Sequence, residues 1–95
     1  MVIGALKLSF HLHGIRSLKG KRQIRNRLVD RLRQRFKIAI AEVEAADEHQ
    51  RLVLGVSTVS SDFKVIDRLL EQVVEAIESE AIAPLVGLER EIFRL

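Results

Sequence analysis

Residues 38–59, IAIAEVEAADEHQRLVLGVSTV, contain two β-branched, apolar runs, 38–46 (IAIAEVEAA) and 51–59 (RLVLGVSTV), separated by the polar Asp47, Glu48, His49 and Gln50. Runs of this length are short for helices, and a brief polar connection between them predicts a β-hairpin. What flanks the hairpin then decides the architecture.

Upstream, Ile24, Leu28, Leu32 and Phe36 recur every four residues, and Leu18 and Val29 fall on the same side of a helix. Ser17 is a good N-cap, so a first helix is predicted from there to about Arg35. Downstream, a second helix opens after Ser61 or Asp62. It gathers Val65, Ile66, Leu69, Leu70, Val73, Val74 and Ile77 on one stripe and Asp67, Glu71, Glu75 and Glu78 on another, with Pro84 beyond its end. Outside the helices, the even positions from Val2 to Leu12 are apolar or Gly, whereas Lys7, Ser9, His11 and His13 occupy odd ones, which predicts a strand with one buried face, ended by Gly14. Residues 85–95 read as a last strand. The order βαββαβ closes into a four-stranded antiparallel sheet with both helices on one face, an α+β, ferredoxin-like domain covering residues 1–95.

Composition agrees. A chain of 95 residues with 47% apolar and 31% charged residues can fill one hydrophobic core but not two. It has no cysteine, which removes disulfides, thiolate nucleophiles and Cys-based zinc sites and fits a reducing compartment, so the cytoplasm is expected. Lys7 interrupts the apolar residues of the first strand, unlike the unbroken core of a signal peptide. No stretch approaches the roughly 20 apolar residues that span a bilayer, so no membrane partner is expected.

The segments HLHGIRSLKGKR, RLRQRF, IAEVE and QRLVLGVSTVSSD resemble the signature of the bacterial proteins grouped as domain of unknown function 503, the YlxP-like family, over nearly the whole chain. The most specific part is SLKGKR at residues 17–22, similar to the family's Ser-Leu-Lys-Glu-Lys-Arg. The resemblance implies the ferredoxin-like fold, no established enzymatic activity, no cofactor, and a link to translation, since such genes often neighbour those of initiation and ribosome maturation factors. Gly20 departs from the family's Glu, which would have completed a capping box with Ser17. Arg25 stands where an apolar residue is expected, so its stem should pack while its guanidinium reaches outward.

Charge is strongly segregated. Arg16, Lys19, Lys21, Arg22, Arg25, Arg27, Arg31, Arg33, Arg35 and Lys37 share their segment with a single acid, Asp30, so it carries +9 while the whole chain carries +3. The remaining −6 is concentrated from Asp62 to Glu80. An ordinary solvated helix intersperses Glu with Lys. A face rich in Arg instead suits phosphate, which guanidinium forks bind bidentately. RNA or a ribosomal particle is therefore the expected partner, with Arg16, Ser17, Lys19, Lys21, Arg22, Arg27, Arg31 and Arg33 as the phosphate-binding residues and the helix start adding free N–H groups. A homodimer that sets basic helix faces against acidic ones is the alternative, and the open sheet face is another possible interface.

Other chemistry is poorly supplied. Five residues separate Gly14 from Gly20 where a P-loop needs four, and Arg22 replaces its Ser or Thr. An acylphosphatase-like enzyme, a minor alternative, could use Arg16, but it also needs a strand-borne Asn and the only one here, Asn26, falls in the first helix. His11 and His13 are weak candidates for a metal pair, with His49 as a conceivable third ligand. The four phenylalanines fall mostly at core-like positions, so the sheet lacks the aromatic platforms on which RNA-recognition motifs stack bases.

Overall fold

In the computed structural model, which describes residues 1–95, six elements follow in the predicted order: β1 (Val2–His11), α1 (Leu18–Arg35), β2 (Ala39–Glu44), β3 (Arg51–Ser60), α2 (Phe63–Glu80) and β4 (Leu85–Arg94). The strands form one antiparallel sheet in the order β2-β3-β1-β4, the ferredoxin-like arrangement. No helix is long and apolar enough to cross a membrane.

Period-two alternation sorts the sheet into two faces. Val2, Leu6, Leu8 and Phe10 of β1 point with Leu52, Leu54 and Val56 of β3 into the helix-covered core, where they meet Leu28 and Leu32 of α1 and Ile66, Leu70, Val73 and Ile77 of α2. Complete burial of one such side chain stabilises by about 1.5–3 kcal/mol. The helices end as their sequences direct. The Ser17 hydroxyl accepts the Gly20 N–H at 3.0 Å, and the Asp62 carboxylate accepts the Lys64 N–H at 2.9 Å. At the far end of α2, Ala81 adopts a left-handed conformation and its N–H returns to the Ile77 carbonyl.

Two expectations change. The first hairpin strand stops at Glu44 rather than at residue 46, because pairing with β3 shifts register between Glu42 and Glu44 and Ala45 turns away at a φ of 58°. The phenylalanines also divide. Phe10 is fully buried and Phe36 packs against the core, but Phe63 and Phe93 are 45% and 47% exposed. Phe63 opens α2, and Phe93 lies on the edge strand β4, opposite Ile3 on the uncovered sheet face.

The middle of that open face is held by charge. Lys7 of β1 reaches Glu44 at 2.9 Å and Glu89 of β4 at 3.0 Å, and Glu44 also meets Arg51 at 3.6 Å. Hydrogen bonding to Glu44 and then to Glu89 raises the Lys7 pKa, and the hydrogen bond from Lys7 lowers that of Glu44. The Glu44 contribution is therefore present above the ordinary carboxylate range and is lost as pH falls through its lowered value. These side chains are solvated, so the effect is small and weakened by salt. Denaturant titrations at pH 7 and pH 3 should show a smaller acid-induced loss of stability for Lys7→Met than for the unaltered chain.

Candidate nucleic-acid interface

Besides the packing of Leu28 and Leu32, one acid on β2 anchors the first half of α1. Alternation puts Glu42 on the same face as the buried Ile40, under the helix, and its carboxylate receives two α1 cations. Lys21 Nζ stands 2.9 Å from Oε2 and Arg25 Nη1 stands 3.2 Å from Oε1. Lys21 also donates to the Ala45 carbonyl. The left-handed turn at Ala45 costs about 1–2 kcal/mol, and this ammonium–carbonyl bond helps offset it.

Lys21, expected among the phosphate-binding residues, is only 2% exposed and leaves that group. Its Cβ vector falls inside the arc of Leu28 and Leu32, so the ammonium has no path to solvent and finds Glu42 instead. Arg25 is corrected too: its guanidinium turns down to Glu42, and its Nε donates to Asn26 Oδ1 at 3.2 Å. Glu42 is the residue that sequence reasoning missed. The signal was present, since an acid two residues from the buried Ile40 on a strand shares its inward face.

The other candidates remain on the surface. Arg16, Lys19, Arg22, Arg27, Arg31 and Arg33 are all exposed. Arg31 lies 3.6 Å from Glu80 at the seam with α2, and Arg33 donates to the Ile40 carbonyl at 3.1 Å. Arg35 sits over the Phe36 ring, 5.3 Å from its centroid. Arg16, Lys19, Arg22 and Arg27 form no ion pair, and neither does Asp30, the one acid among them. Four uncompensated cations thus extend from the loop before α1 to its middle. At about 1.5 Å per residue, Lys19 to Arg27 covers about 12 Å of helix, enough to meet successive phosphates of one strand. Ser17 is committed to the Gly20 N–H, so it serves as the cap.

The remaining candidates sit apart from this face. His11 and His13 pack edge to face with ring centroids 4.1 Å apart, and no group of three His, Cys, Asp or Glu residues forms around them. Asn26 lies on α1, not on a strand.

Known proteins match this chain at three levels. A family model described as "Protein of unknown function (DUF503)" matches residues 3–90. The "Uncharacterized protein YlxP" of Bacillus subtilis (strain 168) is 30% identical over 78 residues, 82% of this chain and 85% of that protein. Among solved structures, a VAO-type flavoprotein from Myceliophthora thermophila C1 superposes with a TM-score of 0.53 at 14% identity, covering 97% of this chain but 16% of the flavoprotein. A candidate antibiotic biosynthesis monooxygenase from Deinococcus radiodurans gives a TM-score of 0.50, also at 14% identity, covering all of this chain and 92% of that one. Likeness at this identity reports the fold alone.

Proposed function

The chain belongs to the DUF503 family, and from that premise and the geometry of α1 we propose that it is a non-enzymatic RNA-binding accessory protein, acting on ribosomal RNA or a ribosomal particle in the cytoplasm. The observation that carries this reading is the set of four exposed, unpaired cations Arg16, Lys19, Arg22 and Arg27 on α1 and the loop before it, whereas Lys21, Arg25, Arg31 and Arg33 have partners within the chain and Arg35 lies over the Phe36 ring. A helix stabilised by surface charge would have partners for them. Phosphates supply those partners, and recognition runs through the backbone and shape of the RNA rather than base edges, since the open sheet face carries one exposed phenylalanine, Phe93 on the edge strand β4, and none on its central strands where bases would stack.

The test reverses Arg22 and Arg27 to Glu. Arg31 and Arg33 are less suitable, because losing their contacts to Glu80 and the Ile40 carbonyl would disturb packing as well as binding. The double variant should fold normally and bind single-stranded RNAs of different sequence with a uniform loss of affinity. Its plot of log affinity against log salt should be flatter by about 1.4, from about 0.7 for each lost phosphate contact. Co-sedimentation with ribosomal subunits at low salt should fall in parallel. Unchanged affinity and slope would remove α1 as the binding surface.

A further inference from the structure

The face of the sheet away from the helices is unusually apolar at one end. The register sets Val59 of β3, Ile3 of β1 and Phe93 of β4 in one row across three strands. Val59 is 62% and Phe93 47% exposed. The next row brings Ala5 and Ala39, and beyond it Ala41 and Val43 line a shallow groove of about 560 Å³ on the β2 side. Val43 leans over Gly55, where a side chain would meet its Cγ1 at 2.7 Å, so the absence of a side chain there keeps Val43 on this face. These residues form an apolar patch at one end of the face, interrupted by Ser57 and bounded by Glu91 and the Lys7 ion pairs, and an exposed apolar patch rimmed by polar residues marks an interface.

We propose that this open face is a homodimer interface, two copies stacking sheet against sheet with their helices outward. Two features favour a second copy as the occupant. The first is area: four strands about 4.8 Å apart, with a rise of about 3.3 Å per residue, present about 600 Å² per copy. Two copies bury about 1,200 Å², the lower end of stable protein interfaces. The second is charge. Lys7 and Arg51 are each paired within the face, Lys7 with Glu44 and Glu89 and Arg51 with Glu44 and Glu48, so self-apposition strands neither cation, and the surplus of carboxylates belongs to the charged middle and edges of the sheet rather than to the Val59–Ile3–Phe93 row. Glu91 has no ion-pair partner and stands on the edge strand, where a polar rim belongs. The arrangement is independent of RNA binding and leaves both α1 surfaces accessible on opposite outer faces of the dimer.

Sedimentation equilibrium of the unaltered chain should give about twice the 10.8 kDa monomer mass at about 100 μM, a concentration at which an interface of micromolar affinity is occupied. The mass should not fall in 1 M salt. Val59→Asp should weaken dimerisation at least tenfold, by about the 1.4 kcal/mol that this factor represents, and Ala41→Lys, on another strand, provides an independent variant should the first disturb folding. Arg22→Glu with Arg27→Glu should leave the dimer intact. A monomer at about 100 μM overturns the proposal, as does a dimer untouched by the sheet-face variants. A dimer dispersed by salt or by the α1 reversals would place the contact on the helices and overturn it equally. None of these results alters the RNA test above, which reads salt slope and not mass.

Discussion

Replacing Glu42 by Leu is expected to lower the unfolding free energy by about 3 kcal/mol, the low end of what breaking a buried ion pair costs. The variant leaves Lys21, 2% exposed, with only the Ala45 carbonyl for its ammonium, and it releases Arg25 from β2. The uncompensated ammonium dominates, because desolvating a charge costs more than a Leu side chain gains by packing. Adding Lys21→Met should restore most of the loss, since an apolar pair of similar volume needs no partner. Denaturant titration of the single and double variants checks both statements. A loss below about 0.5 kcal/mol in the single variant would show that the Lys21–Glu42 contact does not hold α1 in place.

Gly4→Ala is expected to cost about 2 kcal/mol, within the range for overpacking a filled core. A Cβ at this position would lie 2.5 Å from Ile66 Cγ2 and 3.1 Å from Leu70 Cδ1, because α2 rests directly on β1 there. Ile66 is fully buried and branched at Cβ, so its methyl cannot rotate away cheaply. The entropy gained by removing a glycine, about 0.4–1 kcal/mol, offsets only part of the clash. For a domain of 95 residues the net change lowers Tm by about 10 °C. Ile66→Leu removes the offending Cγ2 branch and should recover much of the loss in a double variant. Ile66→Val retains that branch and should not, and scanning calorimetry separates the two cases.

The two largest energetic features were legible in the sequence to different degrees. The elements were readable because the even positions of β1 are apolar or Gly throughout while its odd positions turn polar from Lys7, α1 repeats every four residues, and the polar turn between the hairpin runs leaves one pairing with the hydrophobic faces aligned. Gly4 sits at an even, core-facing position of β1, but that α2 would cross above it depends on helix packing, which no local pattern encodes. Helical position alone makes Lys21 ambiguous. It falls among apolar residues on the wheel, yet a lysine beside Lys19 and Arg22 reads as part of a basic surface until the inward Glu42 supplies its partner. Arg25 carries the same ambiguity. Its place on the buried arc was correct, and the direction of its guanidinium was decided by an acid 17 residues away on another element. Phe93 shows the converse: an aromatic residue on a strand suggests core, whereas β4 is an edge strand and its odd positions face away from both helices.

Removing the buried Lys21 from the phosphate-binding group, and finding the Arg25 guanidinium turned to Glu42, sharpens the proposal for α1 rather than weakening it. Both cations support the helix from below, so what faces outward is a smaller set whose members have no partner within the chain. The chemistry of that set, three arginines and a lysine, is that of phosphate recognition. Family membership adds the fold and the size of the module, and the translation link implied by the family resemblance agrees with a ribosomal partner.

The salt dependence of RNA binding by the unaltered chain tests this reading most directly. Four free cations, each contributing about 0.7 for a single-stranded RNA, give an expected slope of log affinity against log salt of about −2.8, the same for unrelated sequences. A slope near zero, or no binding to any RNA even at low salt, would contradict it and leave Arg16, Lys19, Arg22 and Arg27 as a solvated surface.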